Sequence, residues 1–228
     1  MSVLLLRLAG AMQSWGTRSR FSNRDTGLEP SRSGVVGILC AALGRPRDAS
    51  LDDFLPLQMA VRVDREGRLM RDYHTAQEVR RADTSKRPQE TVLSERFYLA
   101  DADFLVGLQG EEPFLRQLVD ALEAPVWQIC LGRKAFVPSL PVCEGVVAGE
   151  LRSVLESHPW RKRLPYENPP AKPLRIVSEV AYATGEPRQD VPLSFVSRDR
   201  RFAVRHIDTK FLPVPKILEP DAEVTPCS

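Results

Sequence analysis

The order in which apolar segments of strand length and helix length follow one another leaves this chain few possible folds. Residues 3–8 read VLLLRL, an apolar run of strand length. Residues 33–44 read SGVVGILCAALG, in which Ser33 is a residue type favoured at a helix N-cap and Gly44 is one favoured just after a helix C-terminus. Because this second segment is apolar on nearly all sides, we expect a buried helix.

The next segments predict three strands. Residues 57–63 end in an apolar–polar alternation, and residues 65–67 (Arg-Glu-Gly) form a turn signal that leads into a second strand over residues 68–73. Residues 97–108, FYLADADFLVGL, predict the third strand. The polar stretch between them, residues 74–96, has no sustained period and predicts a protruding hairpin or a mobile loop.

A second helix and a further strand complete the series. Pro113, preceded by Glu111 and Glu112, has the residue type that opens a helix, with the acids at the positive end of the dipole. Residues 126–138 then contain another strand-like segment, broken at Gly132. Apart from one further strand between the two helices, the order is β-α-β-β-α-β, which is typical of a ferredoxin-like fold. We therefore predict an α+β, ferredoxin-like domain over residues 1–150.

The remainder of the chain has a different character. Eleven of the 19 prolines lie between residues 159 and 228. Proline disfavours helix interiors, so we expect short strands, such as residues 174–182 and 201–207, rather than long helices. We predict a small β-rich extension over residues 151–228 and not an independent domain.

The net charge of +2 does not by itself indicate a nucleic-acid partner, but the type and placement of the charges do. Of the 32 basic residues 26 are Arg, which forms bidentate contacts with phosphate and stacks on bases. Residues 1–47 and residues 161–210 each carry a local excess of five positive charges, whereas residues 101–124 carry a local excess of five negative ones. Such a chain can present one basic face. A GC-rich genome, which raises Arg content everywhere, is the alternative explanation.

The four cysteines and three histidines show no metal-binding spacing, and no CxxC pair is present. We expect no metal, no cofactor and no small-molecule substrate. The longest early apolar run ends at Arg7, which is too soon for a signal or membrane-spanning segment. We therefore expect a cytoplasmic protein with reduced thiols and no membrane association.

Two segments near the N-terminus have the composition of a nucleic-acid contact. Residues 12–21 combine Trp15 with amide, hydroxyl and guanidinium groups, a mixture that binds single-stranded RNA by stacking and hydrogen bonding. Residues 31–37, SRSGVVG, place Arg32 and two glycines at a predicted helix start, which suits a phosphate. The structural alternatives are a Trp15 side chain folded onto the core and glycines that permit close packing.

Two further segments could carry chemistry. In residues 71–75, Tyr73 and His74 could serve acid–base catalysis on a ribose hydroxyl, although neighbours in a strand point to opposite faces and only one can reach a given site. In residues 131–134, Arg133 and Lys134 could grip a nucleic-acid backbone. A strand end and an ordinary surface turn are the structural alternatives.

Four blocks together resemble the CasD group of the "Cas five" family, a subunit of the type I-E CRISPR surveillance complex, Cascade. The blocks are LRLAGAMQSWG from residue 6, SRSG from residue 31, RDYHT from residue 71 and LGRK from residue 131. The resemblance covers about residues 3–140. Ala11 stands where family members often have Pro, and the C-terminal part matches only loosely.

The resemblance implies a ferredoxin-like, RRM-related domain with an inserted thumb hairpin at about residues 74–96. It implies binding of the 5′ handle of crRNA, capping of the CasC backbone filament and contact with the large subunit CasA in antiviral defence. Because a separate enzyme cuts the precursor RNA in type I-E systems, it implies a non-catalytic subunit. The RNA contacts implied are Met12, Gln13, Ser14, Trp15, Arg18, Arg20, Arg32, Ser33, Gly34, His74, Arg133 and Lys134.

Two other functions stay open at this stage. In a related subtype the family member is a metal-independent endoribonuclease, which here would use Tyr73, His74 and Lys134. A ferredoxin-like protein-interaction or small-molecule module with an incidental Arg bias is the third possibility.

Overall fold

The computed structural model of the chain describes residues 1–16, 22–79, 89–182 and 184–218. Three α-helices lie within these ranges, α1 (Arg32–Leu43), α2 (Glu112–Glu123) and α3 (Leu151–Ser157). The strands in the same ranges are β1 (Ser2–Ala9), β2 (Met12–Gln13), β3 (Asn23–Arg24), β4 (Gln58–Arg65), β5 (Arg68–Val79), β6 (Gln89–Ala100), β7 (Asp103–Gly110), β8 (Cys143–Ala148), β9 (Trp160–Arg161), β10 (Leu174–Val180), β11 (Glu186–Ser194), β12 (Arg201–Leu212) and β13 (Ile217–Leu218).

Seven of these strands form one antiparallel sheet, in the order β11-β12-β10-β4-β7-β1-β8. Up to residue 148 the strands of this sheet and the α-helices follow in the order β1, α1, β4, β7, α2, β8, which has the expected pattern of strand, helix, strand, strand, helix, strand. β1 lies between β7 and β8 and is antiparallel to both. The predicted α+β class is confirmed.

β1 is buried on both faces of the sheet. Leu4, Leu6 and Leu8 belong to the apolar core that α1 and α2 share with this face, whereas Val3 and Leu5 pack with residues of α3 on the other face. Successive side chains in a strand alternate between faces, so a strand covered on both sides is apolar throughout. The run at residues 3–8 is such a strand.

Arg7 is the one charged residue inside this apolar run, and three carboxylates compensate it. Its guanidinium lies 2.6 Å from Asp64, 3.3 Å from Asp103 and 2.9 Å from Glu144. Burial works to lower the pKa of Arg7, but the carboxylates raise it above its usual value, so the side chain stays charged. A buried guanidinium is tolerable only with such partners.

α1 begins two residues earlier than predicted. Ser31, not Ser33, has the extended backbone of an N-cap, and its Oγ accepts from the Gly34 N–H at 3.2 Å. At the other end Gly44 adopts φ 67° and its N–H donates to the Ala41 carbonyl at 3.2 Å, as predicted for a C-terminal glycine. Because residues 31 and 33 are both serines, the residue type alone could not show which of them is the N-cap.

The single strand predicted over residues 97–108 is wrong, because two strands of different sheets occupy this interval. β6 ends at Ala100 and β7 begins at Asp103. Between them Asp101 has φ 58°, a left-handed conformation that Asp tolerates, and its N–H donates to the Ala11 carbonyl at 3.1 Å.

The strand predicted within residues 126–138 is also wrong. The backbone there bonds to other elements, since the Trp127 N–H donates to the Ala41 carbonyl at 3.1 Å and the Leu131 carbonyl accepts from the Ser14 N–H at 3.1 Å. β8, at Cys143–Ala148, takes the place of the expected strand.

The polar stretch after residue 74 contributes to a long hairpin. β5 and β6 pair antiparallel from Arg68 opposite Ala100 to Val79 opposite Gln89, so both strands extend beyond the predicted interval of residues 74–96. β2 and β3 pair with β6 on its other edge. The predicted tip at residues 83–88 lies outside the described residues.

The C-terminal residues extend the central sheet. β10 pairs with β4, and β12 lies between β10 and β11, so the predicted strands at residues 174–182 and 201–207 are present, the second one longer. The sequence did not predict α3. The domain boundary predicted at residue 150 stays a prediction. The central sheet contains strands from both sides of it.

None of the helices in the described part of the chain is long and apolar enough to span a bilayer.

Candidate nucleic-acid interface

Two arginines and an aspartate form a row across three strands of the hairpin sheet. Arg24 in β3 lies opposite Arg96 in β6, and Arg96 lies opposite Asp72 in β5. Residues that are directly opposite in neighbouring strands share a face. The pairing thus brings together Arg24 and Arg96, which are 72 positions apart in the sequence.

Arg133 joins this face from the loop after α2. One of its Nη atoms donates to the Phe97 carbonyl of β6 at 2.8 Å, and its guanidinium lies over the Phe136 ring, 5.3 Å from the centroid. Arg24, Arg96 and Arg133 together are called the arginine cluster below. No carboxylate of the described residues lies within ion-pair distance of any of the three.

The electrostatics of Arg133 reflect this arrangement. Its pKa is lowered, first by burial and then by the positive charges of Arg96 and Arg24, while Asp72 opposes the shift weakly. Like charges held together without matched acids favour the binding of an anion. The arginine cluster can therefore hold one or more phosphate groups.

The strand register also shows which of Tyr73 and His74 lies on the same face as the arginine cluster. His74 lies opposite Ser94 on the same face as Arg96, whose Nε donates to the Ser94 Oγ at 3.1 Å. Tyr73 lies opposite Glu95 on the other face. The hairpin therefore places His74 with the arginine cluster and directs Tyr73 away from it.

A groove of about 730 Å³ lies beside the arginine cluster. Its lining includes α1 between Ser33 and Ala41, residues of the segment 127–134, and Phe202. We call it the α1 groove. Ser14 and Gly132 also line it, and Ser14 Oγ donates to the same Phe97 carbonyl that Arg133 contacts, so groove and cluster adjoin.

Five of the sequence-predicted contacts line this groove: Ser14, Trp15, Ser33, Gly34 and Lys134. Ser33 is half-buried, with its Oγ 3.3 Å from the Ser31 Oγ, and Lys134 is exposed. Gly34 is close to Trp15, because a Cβ built on Gly34 would lie 2.8 Å from the indole. For Gly34 the packing explanation therefore holds.

Gln13 and Trp15 do not present themselves to a ligand, which corrects the expectation for both. Both are at most 1% exposed. The Gln13 amide donates to the carbonyls of Leu8 and Ala102 at 3.0 and 2.9 Å, and it accepts from the Trp15 indole N–H at 3.2 Å. Trp15 therefore packs as the structural alternative predicted, and a base cannot stack on it.

Arg32 is also engaged inside the molecule, which corrects its prediction as a phosphate ligand. Its guanidinium lies 2.6 Å from Glu179 and donates to the Phe54 and Leu55 carbonyls. Its backbone N–H donates to Asp190 at 2.9 Å, so a carboxylate of this chain already occupies the start of α1. The sequence could not show these partners, because the two carboxylates, Glu179 and Asp190, are about 150 residues away.

The other predicted contacts in the first loop are divided. Met12 is exposed at the edge of β6, where it pairs with Ala100. Arg18 and Arg20 lie outside the described residues, so their role stays a prediction.

Arg24 and Arg96 are the residues that sequence reasoning missed. Neither belongs to a recognisable motif, and only the pairing of β3 with β6 joins them. One signal was available for Arg96: if residues 74–96 form the hairpin that was one of the two expectations for this stretch, residues 94 and 96 share a face of its second strand.

The described residues contain no group of three or more His, Cys, Asp or Glu side chains arranged to hold a metal ion. Cys40, Cys130 and Cys143 form no disulfide with one another. Burial is the largest cause that raises the pKa of the Cys40 thiol, to about 11, so this thiol is protonated at neutral pH.

Comparison with known proteins agrees with the family that the four sequence blocks suggested. Residues 3–208 match the family model described as CRISPR-associated protein (Cas_Cas5). The chain therefore belongs to the Cas5 family of CRISPR-associated proteins.

Individual proteins are similar to the chain over most of its length. The chain is 35% identical over 180 residues to the "CRISPR system Cascade subunit CasD" of Escherichia coli (strain K12), a match that spans 73% of this chain and 77% of the relative. A solved "CRISPR RNA-guided surveillance complex" contains a chain with TM-score 0.80 and 39% identity, covering 96% of this chain and 95% of that one. A "Crystal structure of Cas protein" matches with TM-score 0.74 and 40% identity, over 94% of this chain and 98% of the other.

Proposed function

We propose that this chain is a non-catalytic RNA-binding subunit of a type I-E CRISPR surveillance complex, Cascade. In this role it binds the 5′ handle of crRNA and caps one end of the backbone filament during antiviral defence. Family membership supports the assignment, as do relatives whose names are those of a Cascade subunit and a surveillance complex.

The observation that carries the RNA-binding part is the arginine cluster. Arg24, Arg96 and Arg133 converge on one face of the hairpin, and no described carboxylate lies within 4 Å of them. Guanidinium groups bind phosphate bidentately, so three of them can fix the backbone of a single strand. His74 and Ser94 on the same face supply hydrogen-bonding groups for bases or 2′-hydroxyls.

The fold supports the same location. We interpret β1, β4, β7 and β8 with α1 and α2 as a ferredoxin-like, RRM-related domain, and the β5–β6 hairpin as its thumb. RRM domains bind RNA on the open face of their sheet. Here α3 covers that face, where Val3 and Leu5 are fully buried. RNA therefore binds at the hairpin and beside α1, on the side that α3 leaves uncovered.

The proposed protein partners are the backbone subunit CasC and the large subunit CasA. The hairpin face opposite the arginine cluster supports a protein contact near the RNA, because Leu69, Tyr73 and Leu93 are about half exposed there. Exposed apolar side chains of this size on one face are typical of a protein interface.

Single substitutions in the arginine cluster test the proposal. Arg24→Ala, Arg96→Ala and Arg133→Ala should each weaken binding of the full chain to the repeat-derived 5′ handle RNA by about tenfold, because each removes a charged hydrogen bond to phosphate. Filter binding measures the affinity. Arg116→Ala is the matched control, since this exposed arginine pairs with Glu112 of its own helix, α2, which is not part of the cluster. Equal affinity of all four variants and the wild type would rule out the arginine cluster as the RNA-binding surface.

The endoribonuclease alternative is retained because His74 shares the cationic face. The three residues that it would use are not arranged as one site by the hairpin, because Tyr73 is on the opposite face. Incubation of the chain with repeat RNA in EDTA decides the question. We expect no specific cleavage; cleavage that is lost in His74→Ala would make the chain an enzyme.

A further inference from the structure

We propose that the α1 groove is a second RNA subsite, in which one unpaired base stacks on the exposed indole of Trp127. The identification of RNA as the ligand rests on the proposed function, because the RNA that reaches this groove is the strand held by the adjoining arginine cluster. The subsite adds a stacking contact to a surface that otherwise offers charge.

Trp127 is an unusual tryptophan in this chain. It is 47% exposed, whereas Trp15 and Trp160 are each 1% exposed. About half of this residue's surface is therefore left for a flat ligand to cover. Aromatic side chains of this kind hold unpaired bases by stacking, with little dependence on base identity.

The backbone of Trp127 is fixed against the end of α1. The N–H groups of Val126 and Trp127 donate to the Ala42 and Ala41 carbonyls at 3.0 and 3.1 Å. Val126 also packs so closely on Gly44 that a Cβ there would lie 2.8 Å from it. The backbone that carries the indole is therefore pre-organised, which reduces the entropy lost when a base stacks.

The charges around the platform favour a polyanion. Arg45, Arg47, Lys134 and Arg200 line the groove, and none of its described lining residues is Asp or Glu. Arg45 pairs with Asp53, but the other three have no ion pair with a described residue. A groove that combines three available cations with an exposed indole fits single-stranded nucleic acid better than an apolar peptide.

The α1 side of the groove admits close approach. Ser33 and Ala41 lie about 12 Å apart along α1 at 1.5 Å per residue. Between them a Cβ built on Gly37 would have no atom within 4 Å, so the helix surface is open at its middle. A larger side chain at Gly37 would occupy the groove without disturbing the packing.

Tryptophan fluorescence tests the subsite directly, because the other two indoles are buried. Single-stranded handle RNA should quench the emission of the full chain, and Trp127→Phe should abolish most of that quenching. A duplex of the same sequence, whose bases are paired, should quench little. Quenching that persists in Trp127→Phe, or that is equal with the duplex, would overturn the proposal.

Affinity separates this subsite from the proposed function. Trp127→Ala should weaken binding of the single strand roughly 5- to 150-fold, the range found for one stacked base. Trp127→Phe should recover most of the loss. Gly37→Leu should weaken RNA binding, while the Tm of this variant should be no lower than that of the wild type. Tyr182→Ala, an exposed aromatic outside the groove, should bind like the wild type.

The outcomes are distinguishable. If Arg96→Ala weakens binding while Trp127→Ala and Gly37→Leu do not, the subsite is wrong and the RNA-binding function stands. If Arg24→Ala, Arg96→Ala and Arg133→Ala all bind like the wild type, the arginine cluster does not bind RNA. The proposed function then loses the observation on which it rests.

Discussion

Gly34 and Gly37 are one turn apart on α1 but have opposite surroundings. A Cβ on Gly34 would meet the Trp15 indole at 2.8 Å, whereas a Cβ on Gly37 would meet nothing within 4 Å. Gly34 is therefore needed for packing, and Gly37 is not. The sequence predicted a role for both in backbone approach, and only Gly37 has an open face.

This contrast gives a paired stability prediction. Gly34→Ala should lower the free energy of unfolding by about 1–3 kcal/mol, the usual cost of overpacking. Gly37→Ala should raise it by about 0.5–1 kcal/mol, because alanine is the better helix former and fits without strain. Urea unfolding measures both. Equal effects of the same sign would contradict this account of α1.

Arg32 belongs to the stability of the fold. Arg32→Ala removes a buried guanidinium from Glu179 and from two carbonyls, and should cost about 3 kcal/mol or more. Arg205 also contacts Glu179 at 3.0 Å and softens the loss. Arg47→Ala, an exposed control in the same part of the chain, should be neutral in urea unfolding. A fully stable Arg32→Ala with weakened RNA binding would restore the original prediction.

At the scale of elements, hydrophobic pattern identified most of the central sheet but could not assign strands to sheets. Residues 97–108 form one apolar stretch in sequence, yet they serve the hairpin and the central sheet in turn. The positive φ of Asp101, which separates the two strands, depends on contacts that composition does not encode. For the same reason Arg24 and Arg96 were not predicted, since their proximity depends on β3 pairing with β6.

The contact between β8 and the end of α3 has a predictable pH response. Burial works to raise the pKa of Glu144, but the hydrogen bond with His158 and the charge of Arg7 outweigh it and lower the pKa to about 2. A carboxylate with a depressed pKa in the folded state stabilises above its unfolded pKa, and this stability is lost as the pH falls toward 2.

Glu144→Gln should therefore be less stable than the wild type near pH 6, on the order of 2 kcal/mol after allowance for partial solvent exposure. The difference should shrink between about pH 5 and pH 2. Thermal unfolding of both proteins across this range measures it. A difference that does not vary with pH would show that the carboxylate charge has no such role.

For the whole molecule, the Arg-rich composition has two uses. Many arginines hold the fold together through buried ion pairs, as Arg7 and Arg62 do with Asp64. Others have no ion pair with a described residue, namely the arginine cluster and, in the α1 groove, Arg47 and Arg200. Composition alone could not separate these groups, and so could not predict which arginines are free to contact a ligand.

The salt dependence of RNA binding tests the central claim most directly, because each phosphate that the protein neutralises steepens the plot of log affinity against log salt. For single strands each contact adds about 0.7 to the slope, so Arg96→Ala combined with Arg133→Ala should flatten it by about 1.4. The control pair, Arg116→Ala with Arg152→Ala, removes the same charge from α2 and α3 and should leave the slope unchanged. Equal slopes for wild type and the cluster variant, with the folded state intact, would show that the RNA backbone does not lie on the arginine cluster.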